Sequence, residues 1–409
     1  VNAVEVTGLG VVGPHGDDAS AMFDALLRGD SAIRPVFPEL PRPAAAATVD
    51  FDPARWFSKL QLAGVDRVSQ LAVAAADLAV HDAGGLADAD ADADRERIGV
   101  YVGCGMGGAG ALDAAYRSGI ANGSGRVPPL TIPAFMPNAP ASHVAIRQGV
   151  LGPVLTYSVA CASSAIALAE AAKAVRSGEV DVALAGGSEA LIVPGVVMAW
   201  QAMQTLAPVA EGEAASAVRP FGADRAGFAL GEGAAFVVLE SAQRAAARGA
   251  RRYARLSGWG VTCDATHLTK PDAGGQARAL TQALRVAGLA PADVGYCNAH
   301  GTATRIGDPI EREALARVWG DGIDDLRVSS TKALHGHLLG AAGALEAVIT
   351  VLALHRQQVP PNAHVAQPDA DCALNLVRVG ATQADGLRAA VSSSFAFGGT
   401  NAALLFERV

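Results

Sequence analysis

Three short segments carry the side chains most able to do chemistry. Cys161 stands in YSVACASSAIALAEAAKAV (157–175), between a strand-like run and an Ala-rich helical run. His300 opens a glycine turn in NAHGTATRIGDPIE (298–311), and SSTKALHGHLLGAAGALEA (329–347) offers Lys332, His335 and His337 ahead of another small-residue helix. A thiol at a helix start meets unpaired N–H groups and positive partial charge, which favour thiolate and hence covalent catalysis. A lone buried cysteine is more commonly a small core residue, and a lone histidine is more commonly a hydrogen-bonded structural one. A cysteine and two histidine segments at strand ends together shift that balance.

The elements that must position these groups form an alternating pattern. VEVTGLGVV (4–12), RIGVYVGCGMGG (97–108), VLTYSVA (154–160) and DVALAGGSEA (181–190) read as strands, some running into turns. SAMFDALLRG (20–29), SQLAVAAADLAVHDAG (69–84) and a stretch from Cys161 to about 175 read as helices. This is the pattern of mostly parallel sheets covered by helices. The acidic run ADADADADRER (87–97) and VAEGEAASAVRP (209–220) read as loops, and PRPAAAA (41–47) as an extended connector.

The pattern occurs twice. EVTGLGVV (5–12) resembles RLSGWGVT (255–262), and IGVYVGCGMGG (98–108) resembles VGYCNAHGTAT (294–304) more weakly. LTYSVACASSAIALAEAAKAV (155–175) parallels LRVSSTKALHGHLLGAAGALEAV (326–348), and VDVALAGGSEA (180–190) parallels AAVSSSFAFGGTNAAL (389–404). Four matches in one order imply two copies of one α/β unit, near 1–250 and 251–409, stacked as a five-layered αβαβα arrangement. Ligands in such sheets bind beyond the carboxyl ends of the strands, where Cys161, His300 and the 332–337 turn can converge.

Composition narrows the function. The chain has 409 residues, 51% hydrophobic and 18% charged, with net charge −8, which argues against general nucleic-acid binding. Cysteines 104, 161, 263, 297 and 372 show neither CxxC nor Cys/His spacing, so no disulfide framework or metal site is expected. The apolar runs are broken by charges, Pro or Gly before about 18 residues, so no membrane span is expected. The start lacks the basic residues of a signal peptide, and a cytoplasmic setting is the default expectation.

VACASSA, RPFGADRAGFALGEGAA, NAHGTATRIGDPIE, STKALHGHLLGAAGALE and FGGTN occur in the order and approximate spacing of a known family. The chain resembles, over essentially its whole length, the elongating Cys-His-His β-ketoacyl-acyl carrier protein synthases of the thiolase superfamily. The resemblance implies a decarboxylating condensation of an acyl group on Cys161 with a malonyl-acyl carrier protein. His300 and His337 would bind the malonyl thioester carbonyl, and Lys332 and Glu346 would support them. The backbone N–H groups of Cys161 and Phe397 would form the oxyanion hole. Phe397 would gate an acyl pocket that Met106 and Trp200 line, and Thr302 and Thr304 would contact the pantetheine arm. Asp308 and Glu311 would stabilise their loop, and GFALGEGAA (227–235) would be structural.

The resemblance implies no bound cofactor and no metal, the substrates arriving on the phosphopantetheine of acyl carrier protein. It also implies a homodimer, with a heterodimer the alternative. Two departures matter. Ala396 replaces a glycine usual in the family's GFGG loop, which implies a stiffer gate. The segment 57–69 keeps only Lys59 and Arg67, beside Asp66, where relatives carry a basic carrier-docking cluster, and Gln204 stands where some have Arg. A non-catalytic chain-length partner and a thiolase are the rival readings. The retained Cys161, His300 and His337 disfavour the first, and the histidine pattern disfavours the second.

Overall fold

The structure, a computed structural model, describes residues 2–86, 92–210 and 212–409. Most of the acidic run's beginning (87–91) and residue 211 of the second expected loop therefore lie outside the described residues, while Asp92–Glu96 is a short helix rather than loop.

Eleven strands make up the main sheet. In chain order they are β1 (Val4–Val12), β2 (Ile98–Gly103), β3 (Val154–Tyr157), β4 (Val182–Glu189), β5 (Gly233–Ser241) and β6 (Ala254–Cys263), followed by β7 (Val294–Asn298), β8 (Arg327–Ser329), β9 (Asn375–Leu376), β10 (Ala389–Phe395) and β11 (Thr400–Glu407). Their spatial order is β9-β8-β7-β10-β11-β6-β1-β5-β4-β2-β3. Counted within each half, β3-β2-β4-β5-β1 and β8-β7-β10-β11-β6 are the same sequence of strands. In both, the penultimate strand (β5 or β11) runs antiparallel to its neighbours. The halves join through only two residue pairs, Glu5 with Arg255 and Val6 with Ala254.

Five helices give the layers: α1 (Arg67–Asp82), α2 (Ser163–Ser177), α3 (Ala273–Ala287), α4 (Gly307–Trp319) and α5 (Ala342–Arg356). One core contains α2 and α5 together with inward residues of both half-sheets. A second lies between α1 and the first half-sheet, and a third between α3, α4 and the second. The order is helix, sheet, paired helices, sheet, helix, which is the duplicated five-layered α/β architecture expected.

The repeated glycines have a packing cause. A Cβ on Gly10 of β1 would lie 2.0 Å from the Ala75 carbonyl oxygen of α1. On Gly260 of β6 it would lie 1.9 Å from that of Ala279 in α3. Each half thus presses its covering helix onto its first strand, and only glycine leaves room. The central helices use the same device, because a Cβ on Gly343 would meet Ala165 at 2.8 Å. The Ala-rich composition of both repeats is therefore a demand of helix spacing, since close-packed interiors tolerate little excess volume.

Leu339–Arg356, a 3₁₀ turn continuing into α5, is long and apolar enough to cross a membrane. It is 89% buried between the half-sheets, as a core helix should be. A small second sheet of Arg34–Val36, Ala44–Ala47 and Leu230–Gly231 lies beside the carboxyl ends of the strands.

Candidate active site

The chain leaves β3 and turns sharply before α2. Ala160 has φ of 48°, Ala160–Ala162 form a 3₁₀ turn, and the helix proper begins at Ser163. The Ser163 hydroxyl donates to the Ala160 carbonyl and accepts from the Val159 N–H, bracing the turn that presents Cys161. The sequence expectation of a helix starting at Cys161 is thus off by two residues, the difference being this turn.

Cys161, His300 and His337 converge although 176 residues separate the first from the last. Their ligating atoms lie within 4.8 Å of one another, close enough to share a metal ion as well as a substrate. His337 Nε2 is 3.1 Å from Cys161 Sγ, and the Leu339 N–H donates to His337 Nδ1. Since Nδ1 accepts, the proton of the neutral ring sits on Nε2 and points at the sulfur. His337 is therefore a donor toward the reacting centre, not a base for the thiol. Its backbone is clamped by the GFALGEGAA segment, its N–H donating to the Ala229 carbonyl and its own carbonyl accepting from Gly231. That motif is structural, as expected, and its job is to hold this histidine.

The His300 ring meets the His337 ring edge-on, centroids 5.4 Å apart. Glu311 fixes its turn, accepting from the N–H groups of His300 and Gly301 and from the Ser393 hydroxyl. Gly301 has φ of 34°, and a Cβ there would press Ser330 at 2.5 Å. Asp308 accepts from the Phe221 N–H, so neither carboxylate of the loop faces the cysteine. Burial, then Lys332 and its partner ring, hold His300 well below the ordinary histidine value. Burial, then Lys332 and His335, do the same for His337. Both rings are neutral at physiological pH.

Beneath them Lys332 forms a fully buried ion pair with Glu346, on the inner face of α5. Burial raises the Glu346 carboxyl to about 7 against the pull of Lys332. Breaking such a pair strands the remaining charge, at a cost of about 3–5 kcal/mol. His335, the third histidine of the turn, has both ring nitrogens engaged, by Thr331 Oγ1 and the Gly336 carbonyl. It stays structural.

The thiol departs from its sequence expectation. Burial pushes Cys161 up to about 12, while Lys332 and the N–H groups of Phe397 and Cys161 itself pull it back. Desolvation exceeds the helix-start effect because the thiol is buried within an apolar cluster that includes Leu191, Val197, Phe228 and Leu339. Its alkylation by a small neutral reagent should therefore accelerate roughly tenfold per pH unit from 7 to 10. A plateau below pH 8 in the measured inactivation rates would show a lowered thiol instead.

Cys161 opens into a cleft of about 990 Å³. Phe397 stacks on Trp200, ring centroids 6.1 Å apart, and Trp200 meets Phe228 edge-on at 5.6 Å. Phe228 in turn packs edge-on against His337 at 5.2 Å. The sequence reading missed Phe228, which lies inside a motif read only as structural. Thr302 and Thr304 line the same cleft, hydroxyls 3.1 Å apart, and Thr304 also caps its turn by accepting from Gly307 N–H.

Met106 is not among the residues lining this cleft and is 41% exposed, its backbone N–H and that of Gly105 donating to Glu189. Two expectations need correction. Ala396 has no positive φ; the left-handed positions of the 396–399 loop are Gly398 and Gly399, so alanine adds no strain in this conformation. Arg67 is occupied by a two-pronged ion pair with the buried Glu232 and by the Val49 carbonyl, which leaves Lys59 as the segment's cation for a partner.

Residues 1–245 match the family described as beta-ketoacyl synthase, N-terminal domain, and residues 253–366 match its C-terminal domain. This chain belongs to the β-ketoacyl synthases. It is 40% identical to Nodulation protein E of Rhizobium sp. (strain N33), covering 99% of both chains. It is 37% identical to 3-oxoacyl-[acyl-carrier-protein] synthase 2 of Coxiella burnetii, covering 99% of this chain and 98% of that one. The solved ishigamide ketosynthase/chain length factor superposes with a TM-score of 0.92 at 32% identity, over 100% of this chain and 99% of that one. The synthase family accounts for a cysteine facing two neutral histidine donors, which a Cys-His hydrolase with a histidine base would not contain.

Proposed function

We infer that this synthase condenses an acyl group held on Cys161 with a malonyl thioester carried by acyl carrier protein, in fatty acid or polyketide assembly. The observation that carries the reading is the orientation of His337, whose Nε2–H faces Sγ while the neighbouring N–H occupies Nδ1. In the first step Sγ attacks the acyl thioester carbonyl, the carrier thiolate leaves, and it takes up the proton the thiol gives. In the second, His300 and His337 donate to the malonyl thioester oxygen as the bond to the carboxylate breaks and carbon dioxide leaves. The enolate carbon attacks the acyl-Cys161 carbonyl, whose oxyanion is held by the N–H groups of Cys161 and Phe397. Collapse forms the 3-oxoacyl thioester and releases Sγ, which regains one proton from solvent. Lys332 offsets the negative charge that passes over the sulfur, and no step calls on a bound cofactor.

Incubation with acyl-carrier and malonyl-carrier thioesters, followed by mass spectrometry of the protein, tests this. The acyl mass should appear on the peptide holding Cys161 and vanish as a chain two carbons longer appears on the carrier. Acylation elsewhere, or none, would contradict the reading.

One of the two edge strands of the sheet supports a dimeric assembly. β3 ends the sheet and is half exposed, with Val154 and Leu155 facing outward. Nearby segments expose Leu112, Tyr116, Ile120 and Ile132 as well. An uncovered apolar edge of this kind favours a second chain, and a homodimer joined through β3 is the assembly we expect. Light scattering should give twice the chain mass, and Leu155→Lys should shift it toward the monomer; an unshifted dimer would place the interface elsewhere.

A further inference from the structure

Glu189 is a buried carboxylate that the reaction steps above do not use. It ends β4 and is 0% exposed. Its hydrogen-bond partners among the described residues are all backbone N–H groups: Gly105 and Met106, in the segment after β2, and Gly340, in the turn that opens α5 in the other half. Glu346 and Glu232, also buried, each hold a cation instead, Lys332 and Arg67. A buried charge without a counter-ion is costly. What this one supplies is a clamp across both halves of the chain.

The clamp is built to close tolerance. A Cβ on Gly105 or on Gly340 would lie 2.6 Å from Glu189 Oε2, and one on Gly340 would also lie 2.3 Å from the Gly105 nitrogen. Both positions need glycine because the carboxylate sits where a side chain would begin. The peptide gripped in the second half is the one after Leu339. Leu339 has φ of 44°, a left-handed conformation that leucine keeps only where its surroundings enforce it. Its own N–H donates to His337 Nδ1, the bond that leaves the ring proton on Nε2, facing Cys161. The His337 backbone is tied on one side through Ala229 and Gly231. Glu189 holds the other side, because a bond to the Gly340 N–H fixes the ψ of Leu339. In the first half the carboxylate grips Gly105, whose carbonyl accepts from the hydroxyl of Ser158, in the segment leading to the cysteine.

We propose that Glu189 is a positioning residue for the decarboxylation step: from the first half it holds the strained Leu339–Gly340 turn, and so keeps the His337 proton aimed at the reacting centre. It makes no hydrogen bond to Cys161, His300 or His337 and acts through Gly340 and Leu339. The assignment rests on the reading that His337 donates to the malonyl thioester oxygen.

Glu189→Met keeps the length of the side chain and deletes both carboxylate acceptors. In the Cys161→Ala protein it should lower kcat for carbon dioxide release from a malonyl thioester about tenfold, with KM moving less. The His337 ring, followed by nitrogen-15 NMR, should pass from the Nε2–H form to a mixture of both tautomers. Glu189→Gln keeps one acceptor oxygen, enough for the Gly105 and Gly340 N–H groups that share Oε2, and should restore most of the rate and the single tautomer. An unchanged rate would overturn the assignment, and so would a slowed rate with the His337 tautomer unmoved, which would reduce Glu189 to general support. If Glu189→Met does not fold, Gly340→Ala, which pushes the same peptide off the carboxylate, should give the same pair of changes. In the unsubstituted protein the Gly340 amide should resist hydrogen exchange, and ready exchange there would remove the clamp without any variant. Unchanged decarboxylation in His337→Ala would reject the parent reading; slowing there, with Glu189→Met unaffected, would reject this assignment alone.

Discussion

Cys161→Ala should form no 3-oxoacyl product and accept no acyl group, while still releasing carbon dioxide from a malonyl thioester. The loss in condensation should reach the detection limit, at least about 10⁴-fold, because no other thiol can substitute. Cys104, Cys297 and Cys372 are buried. Burial raises the first two well above the ordinary thiol value and Cys372 to about 12. Cys263 is exposed and lies outside the residues that line the cleft. Decarboxylation should survive because its two donors, His300 and His337, do not depend on the sulfur for their placement. His300 is held through Glu311, and His337 through Ala229, Gly231 and Leu339. Radiolabelled malonyl thioester measures carbon dioxide release and condensation separately; condensation by the alanine variant would remove Cys161 from the mechanism.

The second large effect belongs to the histidines. His300→Ala and His337→Ala should each slow decarboxylation by about 10²–10³, the usual cost of deleting one preorganised donor to a developing oxyanion. Acylation of Cys161 should suffer less in His300→Ala, since that ring makes no hydrogen bond to the sulfur. The pH dependence has a definite sign. Both rings are held below the ordinary histidine value, so their neutral, donating forms persist as pH falls from 8 to 6. The decarboxylation rate of the Cys161→Ala protein should stay flat across that window. A fall of rate with a midpoint near 6.5 would mean that an ordinary, solvated histidine does the work. Unchanged decarboxylation in both alanine variants would reject their role.

Much of this was legible because it depends on local order. The duplication could be read from EVTGLGVV and RLSGWGVT, whose glycines recur because each first strand must take a helix against its backbone. Cys161, His300 and Lys332–His337 could be singled out because polar residues at strand ends in apolar surroundings are unusual. Glu311 and Asp308 could be read as loop stabilisers from their place in a glycine turn.

What escaped the sequence was decided by distance and solvent. The helix start at Cys161 suggested a lowered thiol, but the apolar side chains around it come from segments far apart in the chain, and their desolvation sets the sign. Arg67 read as a docking cation until the fold brought Glu232 beneath it. Gln276 carried no motif at all; the fold buried its amide oxygen and left it without a hydrogen-bond partner among the described residues. The sequence by itself determined the residue types, the repeated α/β unit and the family's chemistry, because these follow from periodicity and short motifs. The tertiary structure alone decided which way the His337 proton points, which charges are already paired and how dry the sulfur is. Those properties are sums over neighbours that only folding assembles.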